Sequence, residues 1–131
     1  MSCHEIRLFI VSGNRLLREV LGRLFKSRAR ISVNIADGLT TETARRIISA
    51  SADVLLLDIL APLLEDPDHV RKMREDLPHL KIVLMGMEND NRQFLEAVKR
   101  GVIGYVLRDA SASDVVAAVR AVAQSAAVCP P

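Results

Sequence analysis

Two hydrophobic periodicities alternate along this chain. Short runs of Ile, Val and Leu, apolar almost throughout, are separated by longer stretches in which apolar residues recur every three or four positions. The runs Ile6 to Val11, Ile31 to Ala36, Val54 to Leu57, Ile82 to Met85 and Val102 to Leu107 predict five strands. Most lack an in/out alternation, so they are expected to be covered on both faces, as strands of a parallel sheet are. Between them, Leu16, Leu17, Val20, Leu21, Leu24 and Phe25 follow i, i+4, i+8 spacing and place an apolar stripe on a first helix.

The other helices carry their own signals. Ala44, Ile47 and Ile48 predict the second, and Val70, Met73 and Leu77 the third, which opens on Asp66-Pro67, an acidic cap before a proline at the first helical position. The fourth carries Phe94, Leu95 and Val98 and stops at Lys99-Arg100-Gly101, where cations meet the negative helix end and glycine can adopt the left-handed cap. The fifth begins near Ser111, with Asp114 three positions on as in a capping box, and is expected to bury Val115, Val116, Val119, Val122 and Ala123. Its pattern ends after Gln124. Five βα units with right-handed crossovers predict an α/β domain, a flavodoxin-like (βα)5 three-layer sandwich with a parallel sheet in the order 2-1-3-4-5. The expected domain covers residues 1–126, with 127–131 as the start of a linker or a C-terminal tail.

Composition narrows the function classes. Of 131 residues, half are apolar and about a quarter charged, which suits one core and one domain. No apolar run approaches the roughly 20 residues of a membrane helix, and no charged-then-apolar leader opens the chain, so a cytoplasmic protein without membrane contact is expected. A net charge of +2 gives no electrostatic case for nucleic-acid binding by this domain itself. Basic residues do gather at Arg15, Arg18, Arg23, Lys26 and Arg28, as a solvated helix face or an anion-facing patch. Cys3 and Cys129 stand at opposite ends, without metal-site or redox-motif spacing; a bridge is geometrically conceivable, and a reducing cytosol disfavours it.

Chemistry in such folds gathers where the strands end. The first strand exits into Ser12-Gly13-Asn14-Arg15, the third into Asp58, the fourth into Gly86 and the fifth into Arg108-Asp109. Asp58 is the one obvious reactive group: a carboxylate at the mouth of a buried strand can coordinate a metal, accept a phosphoryl group, pair with a cation, or simply cap a turn. No nucleophile, base and metal constellation and no glycine-rich phosphate loop is present, so an enzyme is not expected.

Three segments together carry a family resemblance, over Ile6 to about Ala123. Val54-Leu55-Leu56-Leu57-Asp58-Ile59 with Pro62 resembles the phosphoacceptor segment of response-regulator receiver domains, and Leu77-Pro78-His79-Leu80-Lys81-Ile82-Val83 the approach to their fourth strand. Gly104-Tyr105-Val106-Leu107-Arg108-Asp109-Ala110-Ser111 resembles the fifth-strand signature of the NarL/FixJ subgroup, whose receivers precede a LuxR-type helix-turn-helix domain. The resemblance implies an acidic pair for Mg²⁺ after the first strand, a Thr or Ser after the fourth and a Lys after the fifth. Here Ser12 and Gly13 occupy the acidic pair, Gly86 replaces the hydroxyl residue, and Arg108 replaces the lysine. Ala61-Pro62-Leu63 stands for Met-Pro-Gly, and Arg15 for a proline near the first helix start.

A complete site sets three carboxylates against one lysine and needs a divalent cation to balance them. Here Asp58 and Arg108 sum to zero, and Arg15 could make the sum positive. No cofactor, with weak or no Mg²⁺ binding, and slow phosphoryl transfer are therefore expected. Arg108 could pair directly with Asp58 and lock one conformation, its planar fork suiting a bidentate contact; alternatively it points into solvent or pairs with Asp109. Gly86 removes the hydroxyl that helps swing Tyr105, leaving Tyr105 a packing aromatic or a residual switch. The resemblance further implies a homodimer, a histidine kinase as a partner, and DNA contact only through a separate output domain. A conventional but slow phosphoacceptor at Asp58 and a small-molecule sensor using the space left by Gly13 and Gly86 are the alternatives.

Overall fold

The computed structural model describes residues 5–28, 30–58, 67–87, 91–99 and 101–126. Strand and helix alternate along the chain: β1 (Ile6–Val11), α1 (Arg15–Lys26), β2 (Ile31–Ala36), α2 (Thr41–Ser49), β3 (Val54–Asp58), α3 (Pro67–Asp76), β4 (Lys81–Met87), α4 (Asn91–Lys99), β5 (Val102–Leu107) and α5 (Ala112–Ala126). The five strands form one sheet in the order β2-β1-β3-β4-β5, every pair parallel, as the alternation of periods predicts. β3 and β4 run longer than the apolar runs alone suggest, β3 taking in Asp58 at its carboxyl end and β4 taking in Lys81 at its start and Gly86 and Met87 at its carboxyl end.

Side-chain alternation along the strands splits the core into two layers. Phe9, Val11, Leu55, Leu57, Ile82 and Leu84 pack with Ala44 and Ile47 of α2 and with Val70 and Met73 of α3. Leu8, Ile10, Val54, Leu56, Val83 and Met85 pack on the other face with Leu21 and Phe25 of α1 and with Val115, Val116 and Val119 of α5. Val54 to Leu57 are fully buried, which is why they show no polar alternation.

Side-chain contacts fix the helix ends, and of these the α5 capping box and the glycine after α4 are expected from the sequence. Asn14 caps α1, its side chain accepting from the Leu17 amide at 3.1 Å, and Thr40 caps α2 in the same way through the Thr43 amide. Ser111 and Asp114 form the reciprocal capping box of α5, at 3.0 and 3.1 Å. Gly101 takes φ +87° after α4, and the Arg74 guanidinium of α3 lies against it, donating to its carbonyl at 3.0 Å. A Cβ there would meet that guanidinium at 2.9 Å.

The α1 stripe is wider in the sequence than in the fold. Leu21 and Phe25 are buried and Leu17 and Leu24 partly so, whereas Leu16 is 73% and Val20 49% exposed. At about 100° per residue, Val20 and Leu16 lie roughly 100° and 140° around the helix from Leu21, on the flank of the face that meets the sheet. On α4, Leu95 and Val98 are likewise exposed. In α5, Ala118 packs on the core while Ala117 and Ala121 stay exposed, and the helix continues two residues past Gln124. Cys3, Ala61-Pro62-Leu63, Asp66, Arg100, residues 127–131 with Cys129, and the side chain of Phe94 lie outside the described residues.

Candidate functional site

Strand register brings the candidate residues together. β1 pairs with β3 through Val11↔Leu57, so the next residue of each strand, Ser12 and Asp58, come side by side. β3 pairs with β4 through Asp58↔Met85, which puts Gly86 one step beyond. Ser12 is fully buried and Asp58 is 4% exposed. Two buried polar side chains side by side must satisfy each other or be costly. Ser12 Oγ donates to Asp58 Oδ2 at 2.8 Å. The same hydroxyl accepts from the Asn14 amide at 3.1 Å, and Arg18 Nη1 donates to the Ser12 carbonyl at 2.7 Å.

From the sequence Asn14 reads only as part of the first strand's exit and Arg18 only as part of a basic patch, and the structure gives both a contact in this cluster. Their signal was present: Asn14 stands at the cap position before an apolar-periodic stretch, and Arg18 one helical turn later, where its side chain can reach back to the strand end. Gly13 is exposed, and a Cβ added to it would make only an ordinary contact with the Asp37 carbonyl at 3.8 Å. Arg15 is highly exposed and engaged by Glu19, Nε to Oε1 at 3.0 Å, one turn along its own helix.

The fourth strand is reshaped where it passes the aspartate. Leu84 pairs with Tyr105, but the next pairing is Met87 with Leu107, so three steps on β4 match two on β5. The additional residue makes a bulge, uncommon between parallel strands. Gly86 lies within it at φ +76°, in the left-handed region that favours glycine. On β5, Tyr105 is 48% exposed, and Arg108, the first residue after the strand, is also exposed. Arg108 is thus an exposed residue, while Asp58 sits in the interior.

The fold, the order of its strands and a buried aspartate closing the third one all point the same way, and the sequence comparison decides it. Residues 8–120 match the response regulator receiver domain family. The chain belongs to that family. Among curated receivers it is similar to the transcriptional regulatory protein DegU of Brevibacillus brevis, 27% identical over 125 residues that cover 95% of this chain and 52% of DegU. It is also similar to the transcriptional regulatory protein MctR of Rhizobium johnstonii, 28% identical over 122 residues, 91% of this chain and 56% of MctR. The chain thus spans about half the length of the curated relatives it matches.

Solved receiver structures share the fold. A two-component response regulator of the LuxR family from Aurantimonas superposes with a TM-score of 0.79 at 22% identity, over 92% of this chain and 86% of that one. A CheY-like receiver from Methanospirillum hungatei also gives 0.79, at 16% identity over 93% and 96%. Among the described residues no helix of this receiver is long and apolar enough to cross a membrane.

Proposed function

We propose that this receiver belongs to a transcriptional regulator of the NarL/FixJ, LuxR-type subgroup, and that it acts through homodimer contacts on a separate DNA-binding output domain in the cytoplasm, without efficient Mg²⁺-dependent phosphorylation. The subgroup reading draws on the fifth-strand segment Gly104 to Ser111 and on the regulators it resembles. The degenerate-site reading rests on one observation above all: the hydroxyl of Ser12, where receivers usually carry an acidic residue, is hydrogen-bonded to Asp58 Oδ2.

Receivers ordinarily use a magnesium ion beside the aspartate, and the residues at the strand ends fit that ion poorly. Mg²⁺ demands near-octahedral oxygen coordination and gives up its water reluctantly, so it is held through carboxylates. Ser12 brings a neutral hydroxyl whose hydrogen is committed to Asp58, and Gly13 brings no side chain. Among the described residues no three His, Cys, Asp or Glu side chains gather as a metal site. Arg108 completes a neutral charge balance with Asp58 from a solvated position. The β4 bulge supports the same reading, because the place of the switching hydroxyl is taken by a glycine at positive φ, and Tyr105 loses that lever.

The test is incubation with acetyl phosphate and Mg²⁺ followed by intact-mass spectrometry, together with calorimetric titration of Mg²⁺. Little phosphoryl adduct and no magnesium heat are expected. Rapid stoichiometric labelling at Asp58 would instead establish a conventional phosphoacceptor fed by a histidine kinase.

A further inference from the structure

We infer that α1, more than the β4–β5 edge, reads the state of Asp58 in this receiver. The alternation that puts Leu8, Ile10, Val54 and Leu56 on the α1/α5 side of the sheet carries Ser12 and Asp58 to that side as well. There the contacts form a relay. The Asn14 amide donates to Ser12 Oγ, Ser12 Oγ donates its one hydrogen to Asp58 Oδ2, and Arg18 fastens the Ser12 carbonyl. Asn14 is at the same time the cap of α1: its side chain accepts from the Leu17 amide and its carbonyl from the Arg18 amide, at 2.9 Å.

Each link strengthens the next. A hydroxyl that accepts from an amide becomes a better donor, and a carboxylate acceptor about doubles the strength of the bond it receives. Neutralising Asp58 removes that assistance, weakens the hold on the Ser12 hydroxyl, and frees the Asn14 amide that the hydroxyl orients. The first turn of α1 loosens in consequence. On the opposite side the residue following Asp58's partner on β4 is Gly86, which has no side chain to follow the carboxylate. The surface that responds is the flank of α1 carrying the exposed Leu16 and Val20.

The inference rests on the reading of Asp58 as the responsive group of this receiver, but not on its phosphorylation. The experiment therefore changes the residue itself, so that easy labelling by acetyl phosphate would overturn the degenerate-site reading and leave this one standing. Amide hydrogen exchange by NMR is measured on the full chain for wild type, Asp58→Asn, Ser12→Ala and the double variant. Exchange at Asn14, Leu17 and Arg18 is expected to accelerate about tenfold in each single variant, the scale of one net hydrogen bond, with Leu84 and Tyr105 unchanged. The double variant should exchange no faster than Ser12→Ala alone, a non-additivity that a merely structural role would not produce. If Ser12→Ala does not fold, Arg18→Gln replaces it, with the same acceleration in α1 expected. The inference is overturned if Asp58→Asn leaves the α1 amides at wild-type rates, if it moves the β4 and β5 amides as much as those of α1, or if its effect adds in full to that of the second variant.

Discussion

Restoring a hydroxyl at position 86 is the obvious way to repair this receiver, and the backbone predicts that it will harm the fold instead. Gly86 has φ +76° and lies in a bulge that shifts β4 by one residue against β5. An L-residue in the left-handed region costs about 1–2 kcal/mol. Against this, replacing glycine lowers the entropy of the unfolded chain, which returns about 0.4–1 kcal/mol. The net loss for Gly86→Ser is then roughly 0.5–1.5 kcal/mol, and Gly86→Thr is worse because a branched Cβ is poorly tolerated at positive φ. For a chain of this length about 1 kcal/mol corresponds to roughly 3–4 °C in Tm, so a fall of about 2–5 °C is expected for the serine variant. Urea denaturation and thermal melts measure it. Gly38→Ala is the control, because a Cβ there meets nothing within 4 Å, and its effect should stay within about 0.5 kcal/mol. If Gly86→Ser matches wild-type stability and also gains rapid labelling by acetyl phosphate, the bulge is no barrier and the reasoning fails.

Other outcomes follow from the same contacts. Ser12→Asp combined with Gly13→Asp adds two carboxylates beside Asp58, and the double variant should show a Tm that rises with added Mg²⁺ while the parent does not. Arg108→Ala should cost less than about 1 kcal/mol in urea denaturation, as for an exposed charge; a loss of about 3–5 kcal/mol would show a buried lock on Asp58 instead. Gly101→Ala combines positive φ with a Cβ 2.9 Å from the Arg74 guanidinium, and should lose roughly 1–3 kcal/mol in the same assay. Arg30→Gly and Ser51→Gly relieve non-glycine residues at φ +66° and +52°, and each should raise stability by up to about 1 kcal/mol.

The strands, helices and sheet order were legible because two-sided burial and helical spacing leave strong marks: Val54 to Leu57 and the Leu21 and Phe25 pair read directly into the core. The flank residues Leu16 and Val20 were not, since apolar spacing alone does not say where a helix face ends. Within the site, Ser12, Asp58 and Gly86 could be placed at adjacent strand ends from order alone. The hydrogen bond between the first two depends on register, and the positive φ of Gly86 on a bulge that no residue pattern announces. Arg15 read as a charge near the aspartate, yet an i, i+4 partner on its own helix engages it. Local pairing on a helix surface competes with longer reach.

The hydroxyl beside Asp58 carries a single proton, and that number has a consequence for any anion that approaches it. An arriving oxyanion that takes this proton as its own hydrogen bond removes this donor from Asp58, so the two acceptors compete for it. Where a metal ion can serve two negative groups at once, a serine must choose between them.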